Sequence, residues 1–253
     1  MNNAQVLGEA TSPLMMQLRS IVHDKKSRLA ISVDLSTSAD VLSMIDAVGP
    51  SVCMVKTHVD IIDDFTPSFI TKLLALKEKH RFLILEDRKF ADIGHTSVMQ
   101  YTGGLYRIID WADLVTVHAL PGASYLESMS AVASAYALPR GALLLAQMSA
   151  KGNLCDDAYT QSSLKVAQAC SNFVVGLIAQ KRLDAYLPTF SPGVHLASLG
   201  DSKGQQYRSP HDALCKDEVD IVIVGRGILQ ADEPGQAAEM YRSKIWLSGE
   251  LGS

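Results

Sequence analysis

The sequence lacks the marks of several large protein classes. Its four cysteines, Cys53, Cys155, Cys170 and Cys215, are scattered with no C-x-x-C pair, so neither a zinc knuckle nor a dithiol redox motif is expected and a reducing compartment fits. Neither H-x-H nor H-E-x-x-H occurs among the seven dispersed histidines, so no metal site is expected. No apolar run is long enough to span a bilayer, and the opening "MNNAQVLGEATSPLMMQLRS" lacks the basic start and continuous apolar stretch of a signal peptide. Basic residues are not in excess: 23 Lys and Arg face 27 Asp and Glu, for a net charge of -4. A chain that tracks a nucleic-acid backbone normally carries a basic footprint, so no nucleic-acid partner is expected and any anion site must be local. Without a membrane partner, a cytoplasmic location is expected, a peroxisome-like organelle being the alternative.

What is present points to one compact unit. The 253 residues are 47% hydrophobic and 20% charged, far from the composition of disordered chains, and no stretch reads as a linker. Short runs rich in Val, Ile and Leu recur: "RLAISVD" (28–34), "VCMVK" (52–56), "FLILED" (82–87), "LVTVH" (114–118), "ALLLA" (142–146), "FVVGLI" (173–178), "TFSPGV" (189–194) and "DIVIVG" (220–225). They are apolar on both faces, as buried parallel strands are. Segments with helical spacing lie between them. "SADVLSMIDAVG" has Ser38 as a candidate N-cap and Gly49 as a stop; "TPSFITKLLALKEKH" has Thr66 before Pro67 and basic residues in its last turn. "SVMQYTGGLYRII", "SYLESMSAVASAYAL", "DAYTQSSLKVAQACS" and "PGQAAEMYRSKIWL" continue the alternation. About eight β/α units predict an α/β fold, a single-domain (β/α)8 TIM barrel over 1–253 with a helical extension over 1–25. An open doubly wound sheet is the alternative, disfavoured because no G-x-G-x-x-G follows the first strand.

In such a barrel the chemistry gathers at the carboxyl ends of the strands. Those ends carry Asp34, Lys56 with His58, Asp87 with Lys89, His118, Ser149, "SPGV" and "VGRG" with Arg226. Each alone reads most simply as a turn, cap or hydrogen-bonded structural residue; so many charges on converging strand ends point to a site. Barrels often hold phosphate on the loops after strands seven and eight. Here Gly193 lets backbone approach a ligand, and Arg226 stands between two glycines, where a guanidinium can fork onto phosphate oxygens. The polar stretch 195–210 is too long for a plain connection and is expected to close over the phosphate through Gln205 and Tyr207. Finally, "DRKFAD" (87–92) has the spacing D-x-K-x-x-D. With Lys56 it can build an alternating Lys-Asp-Lys-Asp array, in which lysines between carboxylates keep every member charged.

The segments "KTHVDI", "EDRKFADIG", "WADLV", "PGV", "GQQY" and "IVGRGI" together resemble the eukaryotic type of orotidine 5'-monophosphate decarboxylase, over nearly the whole chain. "EDRKFADIG" is the specific part, since D-x-K-x-x-D alone is shared with related phosphosugar barrels. The resemblance implies a (β/α)8 homodimer with shared active sites and no metal or organic cofactor. Its reaction converts orotidine 5'-monophosphate to uridine 5'-monophosphate and carbon dioxide, the last step of de novo pyrimidine synthesis. In many eukaryotes the unit is fused to an orotate phosphoribosyltransferase. Carried over to this chain, the resemblance makes Lys56, Asp87, Lys89 and Asp92 the catalytic array, with Asp92 and Thr96 reaching into the partner's site, Lys89 protonating C6 and Asp87 near the departing carboxylate. It places Asp34 and His58 at the ribose, Ser32 and Ser149 at the pyrimidine, and Gln205, Tyr207 and Arg226 at the phosphate, with Pro192 and Gly225 in the substrate-binding set. His95 departs from the Asn found in many relatives. The alternatives are a magnesium-dependent hexulose-phosphate synthase or related lyase, an aldolase using Lys56 as a Schiff base, and a non-catalytic nucleotide-binding barrel.

Overall fold

Eight of the apolar runs become parallel strands that close on themselves: β1 (Leu29–Ser32), β2 (Met54–Thr57), β3 (Leu83–Phe90), β4 (Leu114–His118), β5 (Gly141–Leu145), β6 (Val174–Ile178), β7 (Thr189–Ser191) and β8 (Ile221–Val224) pair in chain order, and β8 returns to β1. The computed structural model describes residues 2–8, 12–196 and 208–251. Most of the stretch expected to close over phosphate, including Gln205 and Tyr207, lies outside the described residues.

Helix α1 (Pro13–Lys25) precedes the barrel, so the expected extension is helical over its second half, with a single 3-10 turn at Asn3–Gln5 before it. Helices α2 (Ser38–Val48), α3 (Pro67–His80), α4 (Gly94–Thr102), α5 (Ala123–Ser134) and α6 (Asp157–Ala169) follow β1 to β5, and α7 (Arg226–Leu229) and α8 (Pro234–Leu251) follow β8. Three local expectations need correction. The N-cap of α2 is Thr37, not Ser38: Thr37 keeps an extended backbone and its hydroxyl accepts the Asp40 N–H, whereas Ser38 is already helical. Helix α4 begins at Gly94 and stops at Thr102, ahead of the Gly103-Gly104 pair, instead of running through 109. No helix joins β6 to β7. The Asp184 carboxylate there accepts the Tyr186 and Leu187 N–H groups at 2.6 and 2.9 Å, and Pro188 follows, which gives the backbone a turn in place of a helix.

The barrel interior is layered. Inward positions start apolar at the amino end and turn polar at one height near the carboxyl end: Ala30, Ser32, Asp34 on β1 and beyond; Met54, Lys56, His58 along β2; Leu83, Leu85, Asp87 along β3; Leu114, Thr116, His118 along β4; Leu143, Leu145, Gln147 along β5. The period of two explains this, since every second residue of a strand shares a face. The outer faces, among them Ile31, Val55, Ile84, Val115 and Leu144, form a second core with Val41, Ile45, Phe69, Leu73, Leu126 and Met129 of the helices.

One outward residue breaks the apolar pattern. Glu86 is fully buried, and its carboxyl receives the Thr57 hydroxyl at 2.6 Å and the Val59 N–H at 3.0 Å. It thereby ties β3 to the turn that carries His58. Burial pushes Glu86 up to about 8, against the downward pull of those two hydrogen bonds and of Lys56. The folded protein thus holds a proton that the unfolded chain releases near pH 4.5, so stability falls as pH rises from about 4.5 to 8. Glu86→Gln is expected to flatten that decline. Thermal unfolding of both proteins across the window checks it, and parallel curves would count against a buried proton on Glu86.

Candidate active site

The polar layer surrounds a cavity of ≈ 310 Å³ at the carboxyl end of the barrel, lined by Ser32, Asp34, Lys56, Asp87, Lys89, Gln147, Met148, Ser149, Pro192, Gly193, His195, Gly225, Arg226 and Gly227, among others. The volume is within the usual range for small-molecule sites.

At one end lies an ion network centred on Asp87. Lys56 donates to Asp87 Oδ2 at 2.8 Å, and Lys89 Nζ lies 2.9 Å from Oδ1. The Thr116 hydroxyl reaches the same Oδ1 at 2.7 Å. His58 Nε2 stands 2.9 Å from Lys56 Nζ and 3.2 Å from Asp87 Oδ2, so it can accept from the ammonium when bare or donate to the carboxylate when protonated. Asp34 completes the group 3.8 Å from Lys56 Nζ, itself held by the Ser32 hydroxyl at 2.8 Å. Burial alone would raise the Asp87 carboxyl. Lys56, the hydrogen bond from His58 and Lys89 outweigh it and hold Asp87 well below the usual carboxylate range. Asp87 is thus held as the anion by its cationic neighbours. The two lysines differ in access: the Lys56 side chain is 9% exposed and that of Lys89 34%, which makes Lys89 the more accessible of the two to a ligand.

Lys89 owes its direction to its backbone. Strand β3 runs to Phe90, past the expected end at Asp87, and its pairing with β4 shifts register between Glu86 and Phe90. Within that irregularity Lys89 has φ +54°, uncommon for a residue with a Cβ and a conformation that recurs at functional sites.

At the other end the loops after β7 and β8 meet. Gly193 has φ +81°, which suits glycine. Arg226 opens α7 directly after Gly225, and both line the cavity. A Cβ on Gly227 would collide with the Tyr241 hydroxyl and lie 3.0 Å from the His195 ring, so the second glycine of "GRG" lets α7 pack on α8. The segment leading away from β7 is pinned at its base: His195 N–H donates to Arg208 O and Arg208 N–H to Gly193 O, each at 3.0 Å. The Arg208 guanidinium bonds Gln180 O, Ser191 and Asp217.

The structure therefore brings together Ser32, Asp34, Lys56, His58, Asp87, Lys89, Ser149, Pro192, Gly225 and Arg226. Asp92 and Thr96 do not join them within one chain. Asp92 is exposed, with Oδ1 accepting the Ile93 N–H, and Thr96 lies half-buried on α4; neither lines the cavity. His95 is exposed on the same helix. His118 also stays outside the lining, beside Tyr159, and burial together with Lys89 pushes its imidazole below its ordinary value. Thr116, Gln147, Met148 and His195 were not anticipated. The first two could have been found by counting in twos along β4 and β5 from His118 and Leu145.

Comparison with known proteins agrees with this geometry. The sequence model of the Orotidine 5'-phosphate decarboxylase / HUMPS family matches residues 27–241. The chain is 43% identical to the orotidine 5'-phosphate decarboxylase of Schizophyllum commune, over 94% of this chain and 91% of that one. It is 42% identical to the uridine 5'-monophosphate synthase of Bos taurus over 93% of this chain and 49% of that protein, about half of whose length it spans. Among solved structures, the orotidine 5'-phosphate decarboxylase of Pyrococcus horikoshii superposes with a TM-score of 0.67 at 22% identity, covering 86% of this chain and 98% of that one. The Methanocaldococcus jannaschii enzyme complexed with the inhibitor BMP gives 0.64 at 21% identity, over 86% and 97%. With a closed eight-stranded barrel, an Asp87-centred ion network and relatives of this closeness, the chain belongs to the orotidine 5'-phosphate decarboxylase / HUMPS family.

Proposed function

We infer that the chain is a carboxy-lyase that converts orotidine 5'-monophosphate to uridine 5'-monophosphate and carbon dioxide in pyrimidine biosynthesis. The observation that carries this reading is the Asp87-anchored pair of ammonium groups facing a cavity whose far end is built from Gly193 and Arg226. A nucleotide laid across that cavity puts its phosphate at Arg226 and its base at Lys89. The sugar then passes Asp34 and His58, and Ser32 and Ser149 flank the pyrimidine; Gln205 and Tyr207 are proposed to add to the phosphate contacts.

In the chemical step the C6–carboxylate bond breaks, its electron pair stays on C6 and carbon dioxide departs. Lys89 Nζ then gives a proton to C6, yielding uridine 5'-monophosphate and a neutral amine that regains a proton from solvent. A fixed ammonium stabilises charge developing on C6 without waiting for solvent to reorganise. Asp87 holds that ammonium in place and lies near the substrate carboxylate. Lys56, which lies outside D-x-K-x-x-D, places its own ammonium against Asp87 Oδ2, where it competes with any other cation.

A homodimer with shared sites is part of the proposal. Asp92 and Thr96 stand beside exposed apolar side chains, Ile93 at 66% and Met99 at 58% exposure, and a second copy covering that edge would receive Asp92 as the fourth member of the array. Association with an orotate phosphoribosyltransferase, which would supply the substrate, is the further expectation; a cytoplasmic setting would suit both. Among the described residues no helix is long and apolar enough to cross a membrane.

Loss of orotidine 5'-monophosphate absorbance with matching carbon dioxide release tests the activity. Turnover unchanged by EDTA is expected, and turnover abolished by EDTA would favour a metal-dependent lyase. Lys89→Ala is expected to lower kcat by about 10²–10⁴-fold with a smaller change in KM; retained turnover would remove Lys89 from its role. Arg226→Ala should raise KM by roughly 10- to 150-fold, the worth of a hydrogen bond to a charged group, and an unchanged KM and kcat would move the phosphate elsewhere.

A further inference from the structure

Where the β3–β4 ladder shifts register between Glu86 and Phe90, residues 87–89 have no register partners on β4. A bulge of this kind leaves a backbone N–H to be satisfied by other means, and a partly buried N–H left without a partner is costly. The Lys89 N–H is satisfied by a side chain: it donates to Thr116 Oγ1 at 2.9 Å. The same oxygen lies 2.7 Å from Asp87 Oδ1, and Thr116 is 1% exposed, so water does not compete for either bond.

The direction of both bonds follows from the groups involved. A backbone N–H can only donate, and an ionised Asp87 can only accept, so the single Thr116 proton points at the carboxylate and its lone pair faces Lys89. The result is an oriented chain, Lys89 N–H to Thr116 O–H to Asp87 carboxylate, in which each bond polarises the next. It closes on itself through the side chain, because Lys89 Nζ is 2.9 Å from the same Asp87 oxygen. Backbone and ammonium of one residue are thus both referred to one carboxylate, with the hydroxyl of β4 as the fixed point.

We infer that Thr116 is a positioning residue of this site: its hydroxyl fills the break in the β3–β4 ladder, holds Lys89 in its left-handed conformation and fixes the Asp87 oxygen that aims the Lys89 ammonium. The inference rests on the decarboxylase reading above. Thr116 touches no substrate; it acts through Asp87 and Lys89. A hydroxyl is required because the same atom must accept from one group and donate to another, which neither an apolar nor a purely donating side chain can do.

The test compares Thr116→Val, which keeps the shape and loses the hydroxyl, with Thr116→Ser, which keeps the hydroxyl. Steady-state decarboxylation is measured beside calorimetric binding of uridine 5'-monophosphate and the thermal midpoint. Thr116→Val is expected to lower kcat by about 10- to 100-fold, the scale of a hydrogen bond to a charged group, while KM and product affinity stay within about threefold. Thr116→Ser should recover most of kcat. A Thr116→Val enzyme with unchanged kcat, a Thr116→Ser enzyme as slow as Thr116→Val, or product affinity falling in step with kcat would each overturn the role. Should Thr116→Val not fold, Thr116→Ala takes its place with the same required ordering. A wild-type chain with no decarboxylation at all would overturn the functional reading itself, whereas an active wild type beside an unaffected Thr116→Val would overturn only this inference.

Discussion

A carboxylate kept ionised inside a protein needs more compensation than one counter-ion supplies, and the architecture around Asp87 provides it. Both of its oxygens are used: Oδ2 by Lys56 with His58 at hand, Oδ1 by Lys89 and Thr116. These donors come from β2, β3 and β4 or their ends, so the distances among them are set by how neighbouring parallel strands are registered, Lys56 lying opposite Leu85 and Thr57 opposite Glu86. Desolvating charges costs several kcal/mol per ion, and the cost is offset only where geometry and hydrogen bonding are both good. A closed barrel supplies that rigidity because no strand has a free edge along which to slip.

From this centre the cavity divides its labour along its length. The ion network is already formed without a ligand, whereas Arg226 lines the opposite end, where the proposed reading puts the phosphate. Binding energy at such a distance speeds a reaction only when it is spent on the transition state, and a rigid barrel between the two ends is a means of transmitting it. Gly227, which allows α7 to sit against α8, and Arg208, which ties the base of the β7 segment to Ser191 and Asp217, both contribute to that stiffness.

Much of this was legible in the sequence. Eight apolar runs separated by helical spacing gave the barrel, because a strand buried on both faces leaves a plain signature in Val, Ile and Leu. Strand-end charges gave Lys56, Asp87, Lys89 and Arg226 for a related reason: a charge at the edge of an apolar run marks where the core ends, unless alternation turns it into the helix layer as it does Glu86. What escaped depended on relations between strands. Thr116 sits within "LVTVH" and reads as an ordinary strand residue, since its importance comes from a register shift with β3 that no single segment encodes. The missing helix between β6 and β7 was hidden by the local bonding of Asp184, and the α2 cap moved by one residue between two hydroxyls, Thr37 and Ser38, of similar capping strength. Glu86 looked like one more charge in a charged string, yet alternation turned it outward into the helix layer and burial changed its proton affinity.

The apolar lower layers of the barrel have a further bearing on the reaction. Leu83, Leu85, Leu114, Leu143, Leu145 and Phe190 fill the interior beneath the polar ring with almost no exposure, and below them Arg28 is bonded to Asp220 O and Asn3 of the amino-terminal segment. Such a plug packs the amino end of the barrel with buried side chains. Among the described residues the polar ring therefore faces away from this plug, toward the carboxyl ends of the strands, where the cavity lies.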